Sequence, residues 1–259
     1  MKVLAIMGSP KGKGNTYDVV RQIEEKMKGS GDVEFEYLFL RDVDLQPCRG
    51  CFICFDQGED RCPLKDDRAL IEEKMRSSDG LIFASPTYVM NVSGLMKNFI
   101  DRFAYVCHRP RFFKPTLIVS TTGGVAVQVT LLLLQFTAES WGCDIAGRLG
   151  VTVDPYLEKL PEAERAGRAA ALEKKAAAAA GRLDAALRSK RAAPGTIKVA
   201  GFMLRKQAFG SDSGARLDHG YWEKNGWIQP DTHYFYDARI GPVKKLAAQL
   251  ATIMLSRFF

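Results

Sequence analysis

The chain has 259 residues, of which 46% are hydrophobic, and this suits one large domain or one domain with an extension. The net charge is +7, but lysines and arginines are spread along the chain and form no nucleic-acid module, so nucleic-acid binding is not expected. No apolar run reaches the length of a transmembrane span, and Met1 leads directly into the first predicted strand, so we expect a cytoplasmic protein without a secretory signal.

The amino-terminal stretch MKVLAIMGSPKGKGNT predicts a strand, a turn and the start of a helix. Residues 3–7 are an apolar run typical of a buried parallel strand, and Asn15 and Thr16 are suited to begin a helix. Backbone N–H groups, hydroxyls and the positive end of the helix dipole converge at such a turn, so it predicts a phosphate site. The spacing fits neither G-x-x-x-x-G-K-S/T nor G-x-G-x-x-G, which excludes the two common nucleotide loops. A purely structural turn is the alternative.

Strands and helices alternate along the following residues. Asp66 is expected to cap a helix that carries Leu70, Ile71 and Met75. The further strands are predicted at 33–40, 80–84, 116–120 and 144–153, and the further helices at 95–103 and 125–141. Five strands alternating with helices predict an α/β fold with a doubly wound parallel sheet. Its ligand should lie beyond the carboxyl ends of the strands, at the loops that follow strands one, three and four.

The remaining residues differ in composition, and we divide the chain into a domain of residues 1–153 and an extension of residues 154–259. Residues 161–191 predict a long helix whose alanine-rich middle has too little apolar bulk for a central core element. A final amphipathic helix is predicted at 243–258, after an aromatic segment with Tyr221, Trp222, Trp227, Tyr234, Phe235 and Tyr236. We expect this apolar surface either to pack on its own domain or to cover a second subunit and help wall the ligand pocket.

Three segments resemble the flavodoxin-like NAD(P)H-dependent FMN reductase family. The segment GSPKGKGNT resembles its FMN-phosphate loop, residues 85–102 (SPTYVMNVSGLMKNFIDR) its second signature, and STTGG at 120–124 its third flavin-contacting loop. The resemblance covers about residues 1–150 and implies a flavodoxin-like fold that binds FMN. The expected FMN contacts are Ser9, Lys11, Asn15 and Thr16 at the phosphate, and Pro86, Thr87, Tyr88, Asn91, Thr121, Thr122 and Gly123 at the rest of the flavin.

A cysteine-rich loop contains the candidate metal ligands Cys48, Cys51, Cys54 and Cys62. Three thiols at intervals of three residues can wrap one face of a cubane, and a fourth follows, whereas structural zinc sites more often use two separated pairs. The pattern resembles the cluster motif of the iron–sulfur flavoproteins, a branch of the same family, which implies a [4Fe–4S] cluster near the FMN. Zinc, redox-active thiols and thiols that hold no metal remain alternatives.

The resemblance implies an FMN-dependent oxidoreductase with NAD(P)H as the electron donor. The flavin supplies the chemistry, so no catalytic side chain is predicted. With a cluster, the protein would transfer electrons with a ferredoxin-like partner; without one, a small-molecule acceptor such as a quinone, nitro, azo or flavin compound is the natural substrate. A non-catalytic flavoprotein that binds a protein partner is the third hypothesis. The resemblance also implies a homodimer or homotetramer.

Overall fold

The structure is a computed structural model and describes residues 1–154, 159–189, 193–211 and 216–255. The contacts divide the chain into two compact units, Met1–Arg49 with Leu64–Ser189, and Gly50–Pro63 with Lys190–Phe259. None of the described helices is both long and apolar enough to cross a membrane. The elements in chain order are β1 (Lys2–Met7), α1 (Asn15–Lys28), β2 (Glu34–Phe39), α2 (Ile53–Asp56), α3 (Arg68–Ser77), β3 (Gly80–Tyr88), β4 (Asn91–Val92), α4 (Gly94–Arg102), β5 (Pro115–Thr122), α5 (Val127–Ser140), β6 (Asp144–Thr152), α6 (Glu162–Arg188), α7 (Thr196–Phe209), α8 (Arg216–Lys224) and α9 (Pro242–Leu255).

The first unit is built on a parallel sheet with the strand order β2-β1-β3-β5-β6. Ala5 of β1 lies opposite Tyr37 on one side and Ile82 on the other, and Ile82 lies opposite Leu117 of β5. This is the strand order of flavodoxin-like sheets, and it confirms the predicted doubly wound fold with five parallel strands. The two-residue strand β4 is an addition that pairs antiparallel with the end of β3.

Helices cover both faces of this sheet, because neighbouring residues of each strand point to opposite sides. On one face, Val20 and Ile23 of α1 join Ile82 in a buried cluster to which α6 also contributes. On the other face, the ring of Phe83 lies 6.0 Å from that of Phe99 on α4 and 5.8 Å from that of Trp141, which follows α5. The three central strands β1, β3 and β5 are therefore buried on both sides, as their near-continuous apolar sequences predict.

The long helix α6 belongs to the first unit and is part of its core. Ala176, Ala179, Ala180 and Leu183 are buried where α6 packs against α1 and β6. The expectation that this helix has too little bulk for a core position was wrong, because small side chains let two helices approach closely. The compact unit consequently continues to Ser189, which differs from the division at residue 153. The predicted last residues of this helix, 190–191, lie outside the described residues.

The N-cap residue of α3 is Asp67 and not the predicted Asp66, but the Asp67 side chain makes no capping hydrogen bond. The Asp66 carboxylate instead accepts hydrogen bonds from the backbone N–H groups of Gln46, at 2.9 Å, and Arg68, at 3.2 Å, and it pairs with the buried Arg102 of α4. Burial alone would raise the pKa of Asp66, but the hydrogen bonds from Arg102 and the backbone hold it below its ordinary value. The residue therefore fixes α4 to the segment before α3.

The second unit buries most of the aromatic segment within itself. The ring of Phe202 on α7 lies 4.9 Å from that of Phe235, and Trp222 lies 5.4 Å from Trp227. The indole N–H of Trp227 donates to the carbonyl of Phe235 at 3.1 Å. Packing on its own unit thus accounts for these rings, but α9 leaves a large apolar face exposed, formed by Val243, Leu246, Leu250, Ile253 and Met254. The predicted end of this helix, 256–258, lies outside the described residues.

Candidate functional site

The backbone of the turn between β1 and α1 is shaped to bind an anion, and we call this turn the anion cradle. Ser9 accepts the N–H of Gly12 at its carbonyl, at 3.2 Å, and the N–H of Lys11 at its hydroxyl, at 3.3 Å. Gly12 has a φ of +65°, a left-handed conformation that favours glycine. The N-cap of α1 is Gly14, which has no side chain to cap the helix, so the N–H groups of the first turn remain available to an anion.

The cradle is fixed to α4 through Gly8 and Ser93. A Cβ atom at Gly8 would lie 2.8 Å from the Cβ of Met96, so only glycine permits this close approach. Ser93 is the N-cap of α4: its hydroxyl accepts the N–H of Met96, at 3.2 Å, and donates to the carbonyl of Gly8, at 2.5 Å. The N–H of Ser93 in turn donates to the Ser85 hydroxyl at 3.1 Å, which connects the loops after β1 and β3.

Two pairs of hydroxyls connect the loops of the neighbouring strands. The hydroxyls of Thr16 and Thr121 are 2.7 Å apart and buried, and only one of their two protons is used in that bond. The other proton can be donated to a ligand oxygen. The Ser120 hydroxyl donates to the carbonyl of Ser85, at 2.8 Å, so it accepts the proton of Thr87, at 3.0 Å. Thr87 thereby keeps an acceptor oxygen for a ligand.

A cavity of about 520 Å³ lies at the carboxyl ends of these strands. Its volume is in the range of pockets for small molecules and cofactors. The structure brings together at this cavity all the residues expected at the flavin except Asn91, namely Ser9, Lys11, Asn15, Thr16, Pro86, Thr87, Tyr88, Thr121, Thr122 and Gly123. Asn91 lies in the β3–β4 hairpin, where its side-chain oxygen accepts the N–H of Val92 at 2.8 Å. The polar groups of the first loop, together with Pro86 and Tyr88, fit a phosphorylated, planar cofactor such as FMN.

Two residues that were not expected from the sequence also line the cavity, Val153 and Asp154. Both follow β6, and the carboxyl end of that strand was the available signal, since ligands of such sheets lie at strand ends. The carboxylate of Asp154 pairs with Arg168 on α6 at 2.8 Å. The negative charge of Asp154, which lines the same cavity as the proposed anion donors, is therefore partly neutralised by Arg168.

The four candidate metal ligands differ in environment. Cys48 belongs to the first unit, where its N–H donates to the side-chain oxygen of Asn98 at 3.1 Å, and the other three belong to the second. Cys48 and Cys51 are exposed, and Cys54 and Cys62 are half-buried. Among the residues that the structure describes, no three His, Cys, Asp or Glu side chains are arranged to share a metal ion. Four thiols are the donor set that an iron–sulfur cluster requires.

Known proteins resemble the part of the chain that contains the cavity. Residues 1–142 match the family described as NADPH-dependent FMN reductase. An iron–sulfur flavoprotein of Methanocaldococcus jannaschii is 41% identical over 102 residues, which cover 39% of this chain and 51% of that protein. An iron–sulfur flavoprotein of Archaeoglobus fulgidus is 36% identical over 141 residues, which cover 52% of this chain and 68% of that protein. The match thus spans about half the length of the first relative.

A solved structure extends the likeness of fold to nearly the whole chain. The crystal structure of RosB, with bound 8-demethyl-8-formylriboflavin-5'-phosphate, has a TM-score of 0.58 and covers 93% of this chain and 92% of its own. The identity is 12%, so this likeness shows the fold alone.

Proposed function

The chain belongs to the NADPH-dependent FMN reductase family, and on this premise we propose that it is an FMN-dependent oxidoreductase with NAD(P)H as the electron donor. The observation that carries the proposal is that the loops after β1, β3 and β5 all line one cavity. When bound, FMN supplies hydride acceptance and electron release, so the protein has to bind it, orient it and limit its exposure to water.

The loop after β1 is proposed to bind the phosphate. Lys11 supplies a positive charge, the amino terminus of α1 supplies N–H groups and the positive end of its dipole, and Ser9, Asn15 and Thr16 supply polar side chains. The proton left over from the Thr16–Thr121 pair is a further donor.

The loops after β3 and β5 are proposed to hold the rest of the flavin. Pro86 and Tyr88 offer apolar surface for a planar ring, and Thr87 offers an acceptor oxygen fixed by Ser120. Asn91 is proposed as an additional contact from the hairpin, and Thr121, Thr122 and Gly123 complete the wall.

Replacing Ser9 and Thr16 together by alanine tests the phosphate assignment. Each lost hydroxyl should cost about 1 kcal/mol, so FMN affinity measured by fluorescence titration should fall about thirtyfold. Ser77→Ala is the matched control, because that hydroxyl is exposed at the end of α3 and donates to the carbonyl of Lys74. If the double variant bound FMN as tightly as the control, the cradle would be wrongly assigned.

The cysteine-rich loop supports a second candidate function, electron transfer through a [4Fe–4S] cluster to a ferredoxin-like partner. Its support is the four-thiol donor set and the names of the relatives. Metal sites of this kind frequently form only when the metal binds, so the cluster itself would bring the four thiols together. Iron and sulfide analysis of anaerobically purified protein tests whether the four cysteines hold this cluster. About four irons per chain would support the cluster, whereas no iron, or zinc in its place, would contradict it.

The exposed face of α9 supports a homodimer or homotetramer. Five large apolar side chains on one helix are seldom left in water by a monomer, whereas Ala248 and Thr252 on the opposite face are buried beside α7. A second copy of the chain would cover this face. A non-catalytic protein-binding flavoprotein is the less supported alternative, because the cavity leaves room for a cofactor that itself performs redox chemistry.

A further inference from the structure

The second unit contains a cavity of its own, with a volume of about 720 Å³. This volume is in the range of pockets that hold small molecules. Residues of α7, of α9 and of the segment between α8 and α9 line it, and we call it the α7–α9 cavity. None of the described residues that line it also lines the flavin cavity, so it needs an explanation of its own.

Lys206 on α7 brings a positive charge to this cavity. Its ammonium has three N–H donors, and two of them go to backbone carbonyls, that of Gln229 and, at 2.9 Å, that of Thr232. Among the described residues no carboxylate forms an ion pair with Lys206. Burial lowers the pKa of Lys206 below its ordinary value, although the more distant charge of Asp231 raises it. One N–H donor and the positive charge are therefore left for an anion.

His233 is a second polar group of the cavity. Its ring is half-buried, and within the described part of the chain neither ring nitrogen makes a hydrogen bond. Burial lowers the pKa of His233, and the positive charges of Lys245 and Lys206 lower it further, although Asp231 opposes them. The ring is therefore neutral at about pH 7, and its one N–H is left for a ligand close to Lys206.

The charges around the cavity favour a ligand with a single negative charge. Lys206 and Lys245 supply two positive charges and Asp231 supplies one negative charge, which leaves one positive charge to be balanced. Residues 190–259 contain 11 lysines and arginines against 5 aspartates and glutamates, so they carry +6 of the net charge of +7. Their summed field attracts anions to this part of the chain.

The cavity also offers apolar surface, from Met203, Ile228 and Pro230. A bare inorganic anion would leave this surface in water, whereas a ligand with an apolar body would cover it. We propose that the α7–α9 cavity binds a small amphipathic carboxylate, with the carboxylate at Lys206 and His233 and the apolar body against the three apolar side chains. This site does not depend on the FMN-dependent function proposed above.

Calorimetric titration of the full chain with octanoate tests the site. Acetate has the same carboxylate without the apolar chain, and 1-octanol has the chain without the charge. Octanoate should bind with about one molecule per chain, and each of the other two should bind at least about tenfold more weakly. Absence of octanoate binding, or equal binding of octanoate and 1-octanol, would overturn the proposal.

Two substitutions locate the bound octanoate. Lys206→Met removes the charge and keeps the length of the side chain, so the affinity for octanoate should fall at least about tenfold. Gln207→Glu adds a negative charge at the same cavity, so the affinity should fall about fivefold. The Gln207 side chain makes no hydrogen bond to the described residues, so this second variant decides even if the loss of the Lys206 bonds unfolds the first.

Lys224→Met is the matched control. Lys224 is exposed at the end of α8 and does not line the cavity, so this variant makes the same change in net charge and should bind octanoate as the wild type does. A loss of affinity equal to that of Lys206→Met would attribute the binding to net charge and overturn the site. Unchanged affinity in Gln207→Glu would place the octanoate elsewhere and overturn it as well.

Discussion

At the scale of single residues, Glu72 on α3 is a buried acid that accepts hydrogen bonds at both of its carboxylate oxygens. One carboxylate oxygen accepts from Arg68, at 2.8 Å, and from the Tyr105 hydroxyl, at 2.6 Å. The other accepts from Arg76, at 2.8 Å, and from Arg111, at 2.9 Å. Burial alone would raise the pKa of Glu72, but these hydrogen bonds and the charge of Arg111 lower it to about 2.

Glu72→Gln should therefore destabilise the protein in a pH-dependent way. At about pH 7 the free energy of unfolding should fall by about 3 kcal/mol, because the buried guanidinium groups bonded to Glu72 lose the carboxylate that balances their charge. The folded-state pKa lies below the value of 4.5 for an unperturbed glutamate, so this contribution is complete above about pH 4.5 and disappears as the pH falls towards about 2. Urea unfolding of both proteins at about pH 7 and about pH 3 measures the difference, which should shrink at the lower pH.

Glu25→Gln is the control for this prediction, because Glu25 forms an exposed ion pair with Arg21 at 2.6 Å. Exposed pairs contribute about 0–1 kcal/mol, so its loss should be small at both pH values. Equal losses for the two variants, or a loss at Glu72 that does not change with pH, would contradict the assignment.

The sequence predicts which residues line the candidate site better than it predicts the hydrogen bonds between them. Ser9, Pro86 and Thr121 could be placed at one cavity because each follows a predicted parallel strand, and strand ends meet at one edge. The bond between Thr16 and Thr121 joins residues 105 positions apart, and no local pattern predicts such a pairing. Asp154 was missed because the ligand was expected only at the loops that follow strands one, three and four, and Asp154 follows the last strand.

At the scale of elements, α6 shows where composition misleads. Its alanines were judged by side-chain bulk, but burial depends on how closely two surfaces approach, and small side chains permit the contact with α1. The β strands were predicted more reliably, because a short continuous apolar run flanked by turns seldom forms another type of secondary structure. The strand β4 was not predicted, since Val89 and Met90 do not resemble turn residues.

Ala179→Leu tests the close packing of α6. The added side chain has no space in the core, so the free energy of unfolding should fall by about 1–3 kcal/mol. Ala178→Leu is the matched control: it is the adjacent residue of the same helix, it is exposed, and its substitution should change stability by less than about 0.5 kcal/mol. Equal effects of the two substitutions in thermal or urea unfolding would show that α6 does not pack as described.

At the scale of the whole molecule, the exposed apolar face of α9 is the proposed contact between subunits. Leu246→Lys with Leu250→Lys would place two charges on the proposed contact, and light scattering should then report monomers where the wild type gives dimers or tetramers. Leu70→Lys, on an exposed apolar residue of α3, should leave the assembly unchanged. A monomeric wild type would contradict the proposed contact, and so would a double variant of unchanged size.

The central claim is that the cavity at the carboxyl ends of the sheet holds FMN by its phosphate. Calorimetric titration of the flavin-free protein with FMN and with riboflavin, which lacks the phosphate, tests this claim most directly. Two or more charge-assisted hydrogen bonds at about 1.5–3 kcal/mol each should make FMN bind at least about a hundredfold more tightly than riboflavin, with one FMN per chain. Equal affinity for the two flavins, or no binding of FMN, would contradict the claim.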